Sequence, residues 1–480
     1  WVLVLFVLVG VLLVLLGLVL AYVIVPKNPY RFVDDDAWSW GVVFDLGSGA
    51  SRVRIFQWST ELLIPVQPSP LGKYDYWEYA AKPGVSAYGI DVQGAADSLE
   101  PLLDYAQQKL KSQNANLTKT VVFLYATGGM RMMSSHRQEI LLDAIRLKVR
   151  EFPFRFEDHW ATVISSKQEA VFDWLAVQQT LVIEDAYGDS MKSFQSVTDG
   201  VSVDTWSYEK GDTIGVIDVG GASVEISFEP SEEFRTDKHF DGAVVDGTDF
   251  TEVDSGIGSV YIGGTIYQVY SSGYGEVGHR EFLNHYQRLL YDENFIQEQS
   301  SGYVLDDPCG WSEFVIQGTF TGSKEKPVYL YGSADPTRCI ETIRKVWKNI
   351  LGCESYDCIK KGQPSVEKHL FIGFNTFLSV QRSLDLDDRP YILELLYWGQ
   401  QILDMEVNEA VELLTGNPDD VVTAYADIFN TFYLYVMLTD IFGFSPDSNQ
   451  ILFTDRFYFH HTSLTWGLGA MTYQVDHLAL

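Results

Sequence analysis

Two short stretches of this 480-residue chain share one pattern of residue types. Each runs from an apolar strand through an aspartate and a tight turn of small residues into a second β-rich strand. The first, residues 41–56 (GVVFDLGSGASRVRIF), has Asp45 followed by Gly47, Ser48, Gly49 and Ser51. The second, residues 214–228 (IGVIDVGGASVEISF), has Asp218 followed by Gly220, Gly221, Ala222 and Ser223. β-branched residues on both sides of the glycines predict strand–turn–strand hairpins. Glycine lets backbone approach a ligand closely, and successive exposed amides form an anion-binding concavity. An aspartate closing the first strand can hold a divalent metal, directly or through water. One such turn is usually only structural. Two of them, in separate halves of a chain, predict two lobes that clamp one phosphate chain between them.

The elements around these turns follow from periodicity. Residues 120–125 read as a strand leading into the turn Ala126-Thr127-Gly128-Gly129-Met130-Arg131, with a helical pattern through about residue 150. Residues 162–169 (TVISSKQE) open an amphipathic helix over 170–182, and Ser166 stands three before Glu169, the spacing of a capping box. The chain closes with helices over 391–403, 406–414 and 421–438 and a strand at 451–454. The apolar stretch 431–444 is interrupted by Asp440 and is too short to span a bilayer, so it reads as a core helix.

Acidic residues outnumber basic ones by 65 to 34, for a formal charge of −31. That surface repels nucleic acid and anionic lipid, so nucleic acid is excluded as a partner. It repels a free nucleotide too, and any phosphate site must be built locally from amides, arginine and a metal ion. Residues 1–25 are an uncharged apolar run, long enough at about 37 Å of helix to cross a bilayer. They are expected to be a transmembrane signal anchor in contact with lipid, followed by a stalk over 26–40. Cys309, Cys339, Cys353 and Cys358 fall in one region and suit two disulfides in an oxidising compartment, with three pairings open. The sequon Asn116-Leu117-Thr118 agrees with a lumenal or outward face.

In order along the chain, the blocks DLGSGASR, ATGGMR, SSKQEAVFDW, DVGGASVEISF and TWGLGAM resemble the GDA1/CD39 family of nucleoside di- and triphosphate phosphohydrolases, the apyrases. The resemblance covers residues 41–473. It implies an α/β fold with two RNase H-like lobes of the actin, Hsp70 and sugar kinase superfamily. Lobe I would comprise 41–164 plus 446–480, and lobe II 165–445. It implies hydrolysis of a terminal nucleotide phosphate with Mg²⁺ or Ca²⁺. Asp45 and Asp218 match the metal-site aspartates, and Glu169 the glutamate that takes a proton from water. The glycines and serines of both turns, with Ala222 and Thr127, are expected at the phosphates. Arg52 would stabilise transition-state charge, and Arg131 would either touch phosphate or brace the loop. Phe377 and Tyr433 resemble the aromatics that stack the base.

Departures from the family pattern qualify these expectations. Ala50 removes one hydroxyl from the first turn, while Ala170 and Asp173 stand where glycine is common. Asp173, one helical turn from Glu169, is expected to raise the pKa of that glutamate. Glu225 replaces a glutamine that orients the lytic water, and as a carboxylate it would share base duty, bind metal or repel phosphate. Two other readings remain: an exopolyphosphatase-like hydrolase, and a catalytically impaired nucleotide-binding or scaffold protein of the same fold. A single N-terminal anchor leans towards a single-pass type II membrane protein of the Golgi or secretory lumen acting on GDP or UDP, with the cell surface as the alternative.

Overall fold

The computed structural model describes residues 38–478 except 60–64, 69–75, 187–193, 199–200, 207–212, 233, 235–254, 263–264, 294, 300–301, 322–325, 353–362, 368 and 456–463. The proposed anchor, most of the stalk, and Cys353 and Cys358 therefore lie outside the described residues. β1 begins at Trp38, so the last three residues assigned to the stalk belong to a strand.

The first sheet contains β1 (Trp38–Leu46), β2 (Ser51–Ser59), β3 (Glu78–Ala81), β4 (Val121–Ala126) and β5 (Ala161–Val163), in the order β3-β2-β1-β4-β5. β2 is antiparallel to both β1 and β3, and β4 and β5 run parallel to β1. A hairpin of β6 (Phe194–Thr198) and β7 (Val201–Trp206) precedes the second sheet. That sheet holds β8 (Gly215–Val219), β9 (Ser223–Phe228), β10 (Ser255–Ile262) and β11 (Thr265–Gly275). A separate four-stranded sheet follows, with β12 (Phe295–Gln299), β13 (Gly302–Asp307), β14 (Val315–Thr321) and β15 (Pro327–Gly332). β16 (Phe371–Asn375) and β17 (Ile451–Phe453) complete the second sheet as β10-β11-β9-β8-β16-β17. Without its edge strand β10, this is the first sheet repeated, three antiparallel strands and then two parallel ones. The two hairpins are therefore equivalent parts of two RNase H-like lobes.

One boundary moves. The division at residue 446 assigns β17 to lobe I, but its Ile-Leu-Phe run pairs with β16 and completes lobe II's sheet. The chain returns to lobe I only with its last helix.

Helices flank both sheets: α1 (Glu100–Ser112), α2 (Gly128–Arg131), α3 (Ser135–Val149), α4 (Ser166–Ala186), α5 (His279–Glu293), α6 (Pro336–Leu351), α7 (Thr376–Leu384), α8 (Ile392–Leu403), α9 (Val407–Thr415), α10 (Val421–Val436) and α11 (Trp466–Leu478). The central strands are buried on both faces, as parallel sheet interiors require. In β1, Val42, Phe44 and Leu46 join a core beneath α1 and α3, while Val43 faces the other way. That second core also takes Val216 of β8, Trp174 and Val177 of α4, and Leu468 and Met471 of α11. α4 and α11 thus form a shared middle layer. They approach so closely that a Cβ on Gly469 would sit 1.7 Å from the Phe172 carbonyl oxygen, so any side chain there forces the helices apart.

Val421–Ile441 is the one helix among the described residues long and apolar enough to cross a membrane, and 72% of its apolar window is buried. It is a core helix of lobe II, as expected. Cys309, in the turn after β13, is disulfide-bonded to Cys339 of α6.

Candidate active site

The duplicated hairpins bring their turns to one cleft of about 520 Å³, lined by Asp45 and Gly47–Gly49 on one side and Asp218 and Gly220–Ser223 on the other. The lobes touch at its floor. A Cβ on Gly128 of α2 would lie 2.9 Å from the Ala222 side chain. From the same short helix Arg131 reaches across. Its Nη1 donates to Glu169 Oε2 at 2.8 Å and to the Ile164 carbonyl at 3.1 Å. Its Nη2 donates to Ser223 Oγ at 2.9 Å and Glu225 Oε1 at 3.3 Å.

Glu169 reaches the cleft because α4 starts beside it. The reciprocal cap is formed by Ser165 and Gln168: the Gln168 amide donates to Ser165 Oγ (3.1 Å), and the Ser165 amide donates to Gln168 Oε1 (2.9 Å). The expected box of Ser166 and Glu169 is one residue out of place. Both pairs have the right spacing, and the one used leaves the Glu169 carboxylate free of the helix end.

Five carboxylates gather here, none more than 7% exposed: Asp45, Glu169, Asp173, Asp218 and Glu225. Burial disfavours their charged forms. Asp45 is raised by burial against the opposing pull of Arg54 and Arg52, whose guanidinium nitrogens stand 3.5 and 3.7 Å away. Asp218 is raised to about 7 by burial and the charge of Glu169, although the Asn375 amide donates to it at 2.5 Å. Glu169 is raised by burial, with Arg131 opposing and Asp45 adding to the rise. Glu225 is pushed well up by burial and then by Glu169. Asp173 is also pushed well up, by burial and then by Asp218, and neither of its oxygens has a hydrogen-bond partner. The expected influence of Asp173 on Glu169 therefore runs chiefly in the opposite direction.

Such a surplus of buried negative charge suits a divalent cation. Among the described residues no group of three His, Cys, Asp or Glu side chains forms a ligand set. Asp45 and Asp218 would hold an ion with water and phosphate oxygens completing its shell.

Other expected residues divide. Thr127, Ser48 and Arg52 line the cleft. Ser51 does not: it is 1% exposed, and its hydroxyl accepts the Val85 amide at 3.2 Å. The Gly220 amide closes its own turn onto the Ser223 carbonyl at 3.1 Å, which removes it as a phosphate donor. Arg131 braces two carboxylates and is not among the cleft-lining residues. Phe377 and Tyr433 are fully buried in lobe II and cannot stack a base. Phe377 packs on Phe453, and Tyr433 stacks on Trp347 and donates to the Val277 carbonyl. Their helical spacing serves the core.

Three further residues at the site escape a sequence reading. Arg54 pairs with Asp45 and Glu78. An R-x-R strand opposite an aspartate was the available signal. Asn375 ends β16 beside β8 with φ 55°, a conformation costly for a non-glycine residue. Arg280, at the start of α5, also lines the cleft. Neither has a local signature.

The GDA1/CD39 (nucleoside phosphatase) family model matches residues 32–480. Probable apyrase 5 of Arabidopsis thaliana is 22% identical over 93% of this chain and 84% of its own length. Ectonucleoside triphosphate diphosphohydrolase 7 of Xenopus tropicalis is 31% identical over 41% of this chain and 32% of its own. Among solved structures, a nucleoside triphosphate hydrolase from Neospora caninum superposes with a TM-score of 0.56 at 15% identity, covering 92% of this chain and 93% of that one, which shows a common fold. With duplicated lobes, facing turns and a family match over nearly its whole length, the chain belongs to the GDA1/CD39 (nucleoside phosphatase) family and is a nucleoside phosphate hydrolase.

Proposed function

We propose that the enzyme removes the terminal phosphate of nucleoside di- and triphosphates, with Mg²⁺ or Ca²⁺ held by Asp45 and Asp218 and with Glu169 as general base. The observation that carries this reading is the convergence of both turns and Glu169 on one cleft. Arg131 fixes Glu169 Oε2 and leaves Oε1 to accept a proton from water. Burial raises the basicity of that carboxylate towards working pH, where a general base acts best. Backbone of the two turns, with Ser48 and Ser223, binds and aligns the phosphates, and Arg52 offsets charge on them. The bound cation would neutralise phosphoryl oxygens that the acidic cleft otherwise repels. Glu225, held by Arg131, would orient water in the role of the family's glutamine. The test is phosphate release from ATP, ADP, GDP and UDP with and without EDTA. Metal-dependent release that Glu169→Gln abolishes is expected, and release insensitive to both would overturn the reading.

A secretory or extracellular setting fits the Cys309–Cys339 disulfide and the exposed Asn116 side chain of the sequon. The apolar run 1–25 would anchor such a protein in the bilayer, and Golgi diphosphates such as GDP and UDP would then be its substrates. Protease protection of the tagged full-length chain in sealed microsomes tests this placement.

A further inference from the structure

Arg280 is the second residue of α5, where the helix dipole disfavours a positive charge. Helix stability therefore gives no reason for an arginine there. The backbone amides of His279, Arg280 and Glu281 donate to the carbonyls of Gly220 and Gly221 at 3.0–3.2 Å, which fixes the helix start against the second turn. From that base the guanidinium crosses the cleft and donates to Ser48 Oγ of the first turn at 2.5 Å. Glycines on both sides make room for it. A Cβ on Gly221 would lie 2.9 Å from Nη2, and one on Gly49 would lie 3.3 Å from Nη1. Among the described residues its one carboxylate contact is Glu281 at 4.0 Å, at the outer limit for an ion pair. In a chain of net charge −31, a guanidinium is thus held between the two turns with little to neutralise it.

We propose that Arg280 is the residue that clamps the substrate's phosphate chain across the lobes, exchanging Ser48 for a phosphate oxygen when the nucleotide enters. This rests on the cleft being the nucleotide site, and it adds what selects the ligand. A planar fork between two turns favours two linked phosphates over one. Release of Ser48 frees its hydroxyl to bond the chain from the other side. Arg280 is a binding residue and takes no part in proton transfer.

The test is calorimetric binding of the non-hydrolysable diphosphate analogue α,β-methylene-ADP, and of AMP, to wild type, Arg280→Ala and Arg280→Lys in the presence of Mg²⁺, with steady-state kinetics alongside. The proposal expects Arg280→Ala to weaken analogue binding about 10- to 100-fold and to raise KM far more than it lowers kcat. AMP binding should change less than threefold, and Arg280→Lys should recover part of the loss. Adding Ser48→Ala to Arg280→Ala should cost less than the sum of the single changes. Unchanged analogue affinity, or equal losses for AMP and the analogue, would overturn the clamp while leaving the hydrolase reading intact. A wild-type protein that neither binds the analogue nor releases phosphate would remove both.

Discussion

The two hairpins have the same antiparallel pairing and the same register across the turn, yet their aspartates face opposite partners. In the first, Asp45 is in register with Arg52 on the neighbouring strand, and Arg54 is also within ion-pair distance. In the second, the register partner of Asp218 is Glu225. One duplicated position carries a cation in lobe I and an anion in lobe II. Two arginines offset part of the burial of the first aspartate, which is still raised, while among the described residues the second accepts an amide from Asn375 and is raised to about 7. Duplication supplied two equivalent scaffolds, and side chains then gave one aspartate a guanidinium partner and the other a second carboxylate.

The largest effect should come from the group both halves serve. Glu169→Gln is expected to lower kcat about 10²- to 10⁴-fold with folding intact, read by phosphate release and thermal melting. A loss below tenfold would move the base elsewhere. The asymmetry itself is tested by Asp218→Asn against Asp45→Asn. Both should raise the divalent-ion concentration needed for half-maximal activity, Asp218→Asn by about tenfold more. Without metal the stabilities should move in opposite directions. Above pH 7 Asp218→Asn relieves a buried charge and raises the melting temperature, while Asp45→Asn leaves Arg54 with less compensation and lowers stability by about 1–2 kcal/mol. Equal shifts would mean that the two halves are electrostatically alike.

A pH series separates the halves further. Asp218 has a folded pKa of about 7 against an ordinary 3.8, so the folded state binds a proton that the unfolded chain has released. That contribution to stability is complete below about pH 4 and is lost as pH rises through 7. The metal-free protein should therefore melt lower at pH 8 than at pH 5, and added Mg²⁺ should restore more at pH 8. The Asp218→Asn variant should show a weaker dependence. The smallest change is expected from Glu225→Gln. It leaves an acceptor for Arg131 but removes a titrating carboxyl that competes with Glu169 for that guanidinium. Activity should stay within about fivefold while the acid limb of the pH–rate profile moves lower, and an unmoved limb would show that Glu225 carries no charge that matters.

What the sequence showed depended on how local each signal is. Asp45, Asp218 and their glycines are legible because one turn contains aspartate, small residues and flanking β-branched runs together. The equivalence of the two sheets is not, since it needs β16 and β17, more than 150 residues from β8, to join the same ladder. The cap of α4 is ambiguous because Ser165–Gln168 and Ser166–Glu169 share one spacing, and only the fold selects between them. Phe377 and Tyr433 mislead for a different reason: sequence gives the residue type but not the direction in which the helix points it, and α7 and α10 turn both inward. Arg280 gives no signal at all. Its role arises from a contact with Ser48, 232 residues away.

The central claim is that both turns grip one metal-bound phosphate chain, and Mn²⁺ binding followed by electron paramagnetic resonance tests it most directly. In the presence of α,β-methylene-ADP the wild-type protein should bind one Mn²⁺ per chain, and either Asp45→Asn or Asp218→Asn should weaken that same site. Two independent Mn²⁺ sites, each lost with only one of the aspartates, would contradict the account.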